Sequence, residues 1–332
     1  MSATTPPPHT IRWGIIGCGN VTEVKSGPAF RKIEGSDLVM VMRRDAALAE
    51  DYAQRHAVPR WTSDADALIH DPEVDAVYIA TPPDSHADYT RRVAAAGKPV
   101  YVEKPMARTY AECLSMIEAC AAADVPLFVA YYRRCLPNFL KVKELVDAGT
   151  VGEIRFVAIR LFQPIRPAER DAANLPWRVQ PEIAGGGHFF DLASHQLDFL
   201  DYLFGPIVSA QGQATNQAGI YPAEDIVSAN FRFVSGVQGS GIWCFTVDAH
   251  QKCDTIEIFG SQGRITFAAF SDDPVRLEWD GAQQLFPIAY PEHVQQPLIQ
   301  SIVDELRGQG RCPSTGQTAA RTSRVMDEIV GR

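Results

Sequence analysis

The chain has 332 residues, 46% of them hydrophobic and 21% charged, with a formal net charge of −9. That length exceeds one usual core, so two domains are expected, each with enough apolar residues for a core of its own. The acidic balance argues against nucleic acid or an anionic membrane as a general partner, and no apolar run reaches membrane-spanning length.

Residues 1–10 read as a loose tail, rich in Pro and Thr and without the charged-then-apolar order of a secretion signal. An apolar strand at 11–16 then runs into Gly17-Cys18-Gly19-Asn20-Val21-Thr22 and a helix-compatible stretch. A pyrophosphate approaches the backbone only where side chains are missing, and a following helix offers unpaired N–H groups and the positive end of its dipole. Strand, glycine turn and helix in that order point to a dinucleotide held by Gly17, Cys18, Gly19, Asn20 and Val21. Thr22 stands where the third glycine of G-x-G-x-x-G is usual, which predicts a looser packing of helix on strand. A second strand at 37–42 ends in Met42-Arg43-Arg44-Asp45. An acidic residue at such a strand end accepts hydrogen bonds from the adenosine ribose, whereas arginine suits a 2′-phosphate. Arg43 and Arg44 therefore favour NADP(H), with NAD(H) possible through Asp45.

Helices at 46–56 and 64–69, with the segment Val58-Pro59-Arg60-Trp61 between them, lead to an apolar strand at 75–80 closed by Thr81-Pro82-Pro83. A helix at 84–96 ends at Gly97, and a strand at 99–102, a helix at 106–123 and a strand at 125–131 follow. Repeated βα units predict a parallel, doubly wound sheet over 11–130, with its ligands outside the carboxyl ends of the strands. Thr81, Pro82 and Pro83, followed by His86, would lie along the cofactor there. Lys104, in Glu103-Lys104-Pro105, would place an ammonium where it can polarise a carbonyl or stabilise an alkoxide during hydride transfer. A surface ion pair of Glu103 with Lys104 explains the same dipeptide without chemistry.

From residue 152 the pattern changes. Strands at 154–162, 207–215, 225–233, 236–247, 255–259, 264–267 and 275–279 alternate with glycine-containing turns and predict a mostly antiparallel sheet. A long helix at 188–204 interrupts them, and helices near 292–307 and 316–330 are expected to fold back onto one of the domains. After Gly185-Gly186-Gly187, residues His188, Asp191, His195 and Asp198 recur at spacings of three and four, hence on one helical face. A histidine there can exchange the hydroxyl proton while Asp191 holds a hydroxyl or orients the ring. Metal ligation or simple exposure to water would produce the same stripe, and spacing does not choose among them. The hydride chemistry needs no metal, and none is assigned. Seven cysteines, an odd number without a C-x-x-C pair, favour free thiols in a reducing cytoplasm.

Gly17-Cys18-Gly19, Ala80-Thr81-Pro82-Pro83 with His86, Ala96-Gly97-Lys98, Glu103-Lys104-Pro105 and Gly185-Gly186-Gly187 with Asp191-x-x-x-His195 together resemble the Gfo/Idh/MocA oxidoreductases. That family includes glucose-fructose oxidoreductases, inositol dehydrogenases, anhydrofructose reductases and dihydrodiol dehydrogenases. The resemblance covers nearly the whole chain. It implies a Rossmann domain at 11–130 and a substrate and oligomerisation domain at 131–332, of α+β class with a large, mostly antiparallel open sheet. It also implies NAD(P)-dependent oxidation or reduction of a sugar, cyclic polyol or diol, and a homodimer or homotetramer built through that sheet. On the same resemblance Lys104 matches the catalytic lysine, and Asp191 and His195 the substrate-site pair. Trp177 and Arg178 would lie by cofactor and substrate, and Tyr132 and Arg134 with His188 would line the substrate site; Tyr132 replaces the Asn found in many members. A non-catalytic dinucleotide sensor and an NAD-dependent glycosidase are the alternatives on the same fold.

Overall fold

The computed structural model describes residues 10–332, so the tail expected at 1–10 lies almost wholly outside the described residues. Strands β1 (Ile11–Ile16), β2 (Ser36–Met42), β3 (Arg60–Thr62), β4 (Ala76–Ile79), β5 (Val100–Val102) and β6 (Leu127–Val129) form one sheet in the order β3-β2-β1-β4-β5-β6, parallel throughout. Every residue of β4 and β5 is buried, as expected of strands covered by helices on both faces. Helices α1 (Asn20–Val24), α2 (Ala46–Arg55), α3 (Ala65–Ile69), α4 (His86–Ala95) and α5 (Tyr110–Ala122) make the crossovers. Strand order reverses between β1 and β4, which opens a crevice outside their carboxyl ends.

Two helices begin later than the sequence predicts. A 3-10 turn at Pro83–Ser85 precedes α4. Helix α5 starts at Tyr110 because Thr109 caps it, accepting a hydrogen bond from the Glu112 N–H at 3.2 Å, while Met106 and Ala107, on the bent segment before it, are buried in the core.

Helix α6 (Pro137–Asp147) leads into the second sheet, β7 (Ile154–Phe162), β8 (Ile207–Thr215), β9 (Ile226–Phe233), β10 (Gln238–Cys244), β11 (Cys253–Gly260), β12 (Gly263–Phe267), β13 (Val275–Trp279) and β14 (Ala282–Phe286). Its order is β14-β13-β12-β11-β7-β10-β9-β8, antiparallel except for the β7–β10 pair. Burial alternates along β9 and β10, so one face is packed and the other is open. Strand β14 was not expected, since Ala-Gln-Gln-Leu-Phe lacks an apolar alternation. The signal for it is Asp280-Gly281, both with positive φ (47° and 73°), the turn chemistry of a tight hairpin.

Between the sheets lie α7 (Pro181–Ala184), one π-helical turn at Phe189–Ala193, and α8 (Ser194–Phe204). Helices α9 (Gln296–Leu306) and α10 (Gly316–Val330) close the chain against both units. In α10, Asp327 accepts from the Tyr110 N–H at 2.8 Å, and Arg321 donates to Asp201 of α8 at 3.0 Å. Among the described residues no helix is long and apolar enough to cross a membrane.

Candidate active site

A cavity of about 1220 Å³ lies between the two units at the β1–β4 crevice. At one end stands the glycine turn. Gly17 has φ +91°, and a Cβ on it would sit 2.7 Å from Thr81 Cγ2, so only glycine fits where the turn meets the end of β4. Gly19 is the opposite case. A Cβ there would find nothing nearer than Gly17 O at 3.9 Å, so its bare backbone leaves free space in which a pyrophosphate fits. Thr22, expected to loosen the packing, is fully buried and ties the turn by donating its hydroxyl to Gly19 O at 2.8 Å. The close approach has moved to Gly27, where a Cβ would overlap Thr22 O and the Tyr52 hydroxyl. Helix α1 spans only five residues, so backbone N–H groups rather than a long dipole face the cavity.

Cys18, Asn20, Val21, Arg43 and Arg44 line this end. Arg43 donates to Cys18 O at 3.3 Å, and burial pushes the Cys18 thiol up to about 11. Asp45 lines the same end and caps α2, accepting from the Leu48 N–H at 3.1 Å through one carboxylate oxygen. Thr81, Pro82 and Pro83 form the adjoining wall. His86 does not line the cavity: its buried ring lies 2.8 Å from Thr81 O and 3.1 Å from Pro105 O, bracing one loop against the other. Burial depresses its pKa, and a neutral ring donates to one of those carbonyls at a time.

Lys104 lies two residues past the end of β5 and also lines the cavity. Its ammonium donates to Asp191 Oδ1 at 2.5 Å and to Asp191 O at 2.9 Å, not to Glu103. Glu103 also borders the cavity, but its carboxylate accepts from Tyr78 Oη (2.5 Å), Gln295 Nε2 (2.6 Å) and the Lys104 N–H (3.1 Å). This anchors the backbone that carries Lys104. Asp191 meets Arg178 Nε at 3.3 Å through its other oxygen, and Arg178 stacks on Trp177 at 4.3 Å. Burial alone would raise the Asp191 carboxyl, but the adjacent Lys104 and Arg178 hold it well below the ordinary carboxylate range.

His195 is buried beside Asp191, edge-on to Tyr131, Tyr132 and Phe270, with Nδ1 lacking a partner among the described residues. Burial, and then Arg133, Lys104 and Lys25, depress its pKa well below the usual histidine value. Tyr132 borders the same space. Burial would raise its phenol, yet the same three cations bring it below the ordinary tyrosine value.

Two expected substrate contacts are turned elsewhere. Arg134 donates Nε and Nη2 to the carboxylate of Asp198, both at 2.7 Å, with both side chains buried, so this pair belongs to the core. His188 pairs with Glu169 at 2.6 Å in a buried pocket with Tyr221 and Phe245. The π-helical turn explains the split: its extra residue breaks the three-four repeat, so His188, Asp191, His195 and Asp198 reach separate partners instead of sharing one stripe. Among the described residues no group of three or more His, Cys, Asp or Glu side chains is arranged to hold a metal ion.

The sequence reading missed Lys25, Arg133, Arg166, Phe270, Tyr290 and Gln295 in the cavity wall. Arg133 was visible beside Arg134, but nothing local tells which arginine points inward. The others come from turns and helix ends without motif spacing.

Two family models match. Residues 11–131 fit the oxidoreductase family with an NAD-binding Rossmann fold, and residues 139–266 fit the GFO/IDH/MocA C-terminal domain. Among curated relatives, Oxidoreductase P35 of Formosa agariphila is 40% identical over 97% of this chain and 98% of its own. Trans-1,2-dihydrobenzene-1,2-diol dehydrogenase of Danio rerio is 29% identical over 88% of this chain and 84% of its own. Among solved structures, levoglucosan dehydrogenase in complex with NADH and levoglucosan aligns with a TM-score of 0.83 at 23% identity, over 96% of both chains.

Proposed function

The chain belongs to the Gfo/Idh/MocA family of NAD-binding oxidoreductases, and from that premise we propose that it oxidises a secondary alcohol, or reduces the matching ketone, of a sugar, cyclic polyol or diol. The observation that carries this reading is the Lys104–Asp191 contact, which brings a strand end of one unit and a helical turn of the other to a single cavity with the glycine turn. The dinucleotide, when bound, supplies the hydride acceptor or donor. Gly17 to Val21 bind its pyrophosphate, and Thr81, Pro82, Pro83, Trp177 and Arg178 flank it. Arg43 and Arg44, both in the cavity wall, favour a 2′-phosphate, hence NADP(H) over NAD(H).

In the oxidative direction the substrate carbon loses a hydride and its hydroxyl loses a proton. The depressed pKa of His195 leaves a neutral ring able to accept that proton. The Lys104 ammonium stabilises negative charge developing on the oxygen, and Asp191 orients Lys104 and accepts a hydrogen bond from a neighbouring substrate hydroxyl. Reduction runs the same groups in reverse. Tyr132 completes the wall above His195.

The protein is further read as a cytoplasmic homodimer or homotetramer. Its seven cysteines are all free, and the open face of the second sheet exposes Ile242 and a stacked Phe156–Phe259 pair at 4.4 Å, apolar surface suited to a second copy. The function is tested with a panel of sugars, inositols and cyclic diols, each offered with NAD and NADP and followed by the absorbance of the reduced nicotinamide. Dinucleotide-dependent turnover of a member is expected. Binding of dinucleotide with no turnover of any member would favour a sensor, and glycoside cleavage without net cofactor change a glycosidase.

A further inference from the structure

The substrate end of the cavity carries more positive charge than its own carboxylates engage. Asp191 is held between Lys104 and Arg178, and Glu103 is buried among the Tyr78 hydroxyl, the Gln295 amide and a backbone N–H. Lys25 and Arg133 line the same space without a carboxylate of their own. Lys25 lies just past α1, and its ammonium makes no hydrogen bond or ion pair among the described residues. Arg133 is 5% exposed, and its Nε and Nη2 both donate to one neutral oxygen, Ala269 O, at 3.0 and 2.7 Å; Nη1 has no partner. The rings of Tyr132 and Phe270 flank the guanidinium at 5.0 and 4.5 Å. Asp254, behind the same segment, feels the Arg133 charge but makes no ion pair with it, accepting instead from the N–H groups of Ala269 and Phe270 at 3.1 and 2.5 Å.

Two titratable neighbours register this surplus. Beyond burial, the groups that act on His195 are all cations, Arg133, Lys104 and Lys25, and the same three pull the Tyr132 phenol down against burial and the smaller opposing effect of Glu103. A cleft whose charges are predominantly of one sign concentrates ligands of the other. Arg133 flanks Tyr132, which meets His195 edge-on, and Lys25 acts on both of those groups, so the positive charge reaches the substrate end of the cavity.

We propose that the substrate carries an anionic group, a carboxylate or a phosphate on a sugar or polyol frame, bound by the Lys25 ammonium with the Arg133 charge behind it. The group lies on the Tyr132 side of His195, which leaves the reacting hydroxyl to Lys104, Asp191 and His195. This rests on the oxidoreductase reading above and narrows its substrate class. Carboxylate and phosphate share the chemistry that Lys25 recognises, so the experiment separates them.

Matched sets are compared, each a neutral hexose, its hexuronate and its hexose phosphate, in kcat/KM with the preferred dinucleotide saturating. One anionic member should exceed its neutral counterpart by about tenfold or more, the scale of a 1.4 kcal/mol interaction. Which of the two does so identifies the group. Lys25→Gln, a change at an exposed residue, should collapse that ratio through KM, and added salt should narrow it. A neutral hexose that matches both anionic partners, or a ratio unchanged in Lys25→Gln, would overturn the proposal. Should no sugar of either charge be turned over, the inositols and cyclic diols of the panel above decide the oxidoreductase reading separately. Calorimetric titration of the dinucleotide-saturated protein with the same sets then decides the anion: binding of an acid or phosphate that Lys25→Gln abolishes upholds it, and equal or absent binding rejects it.

Discussion

Lys104 and Asp191 lie 87 positions apart in the chain and meet at 2.5 Å. Glu-Lys-Pro at a strand end and Asp-x-x-x-His after a glycine run were legible because each is local, but their partners were not. Burial and long-range contacts decided those, which is why Arg134 went to Asp198 and His188 to Glu169. Arg134→Met should therefore leave dinucleotide affinity intact while costing about 3–5 kcal/mol of stability, the penalty for stranding a buried carboxylate. Denaturant unfolding checks the second part and fluorescence titration the first. Arg43→Asp should instead leave stability alone and weaken NADP(H) by about 1.5–3 kcal/mol relative to NAD(H). Tight binding of NAD(H) but not NADP(H) by the unmodified protein would reject that assignment. For His195, an unfolded chain takes up a proton near 6.5, whereas burial and then three cations keep the folded ring neutral well below that. The folded pKa is depressed, so the stability linked to this ring is complete above pH 6.5 and is lost as pH falls toward the folded value. The acid limb of kcat/KM should accordingly lie well below 6.5, and a limb at the ordinary histidine value would contradict the buried, neutral ring.

At the scale of elements, the alternation of strand and helix through 11–130 was readable from apolar runs and turn residues, and the short strands of the second sheet from their glycine-containing turns. Two features escaped. Strand β14 has no apolar face to announce it, and the π-helical turn leaves no signature in a three-four repeat. Gly185, Gly186 and Gly187 show what that turn demands of its approach. Gly185 has φ +82°, with a Cβ only 2.6 Å from the Arg108 backbone, and a Cβ on Gly186 would overlap the Phe190 ring. Gly186→Ala should thus cost about 1–3 kcal/mol by overpacking, measured as a shift in urea midpoint, and should lower turnover because Phe190 precedes Asp191. A midpoint equal to that of the unmodified protein would show that the ring yields freely.

For the whole molecule, length and composition predict two cores, whereas the largest hydrophobic cluster runs from Trp13 and Tyr78 of the first sheet through Phe139 to Trp243 and Ile256 of the second, and the strand order explains why the cavity sits at the β1–β4 reversal. What composition could not convey is how the halves are fastened. Gln295, just before α9, accepts from Tyr101 Oη at 2.6 Å and donates to Glu103, so a residue from the far end of the chain steadies the strand that presents Lys104. The central claim is that this joint assembly, dinucleotide turn on one side and Lys104 with Asp191 and His195 on the other, moves a hydride and a proton. Its most direct test is Lys104→Met, with dinucleotide affinity and the rate of nicotinamide reduction measured on the same preparation. The account predicts unchanged dinucleotide binding and a rate lower by about a hundred-fold or more, as when one transition-state charge partner is lost. A folded Lys104→Met protein that binds dinucleotide and turns over at the original rate would contradict it.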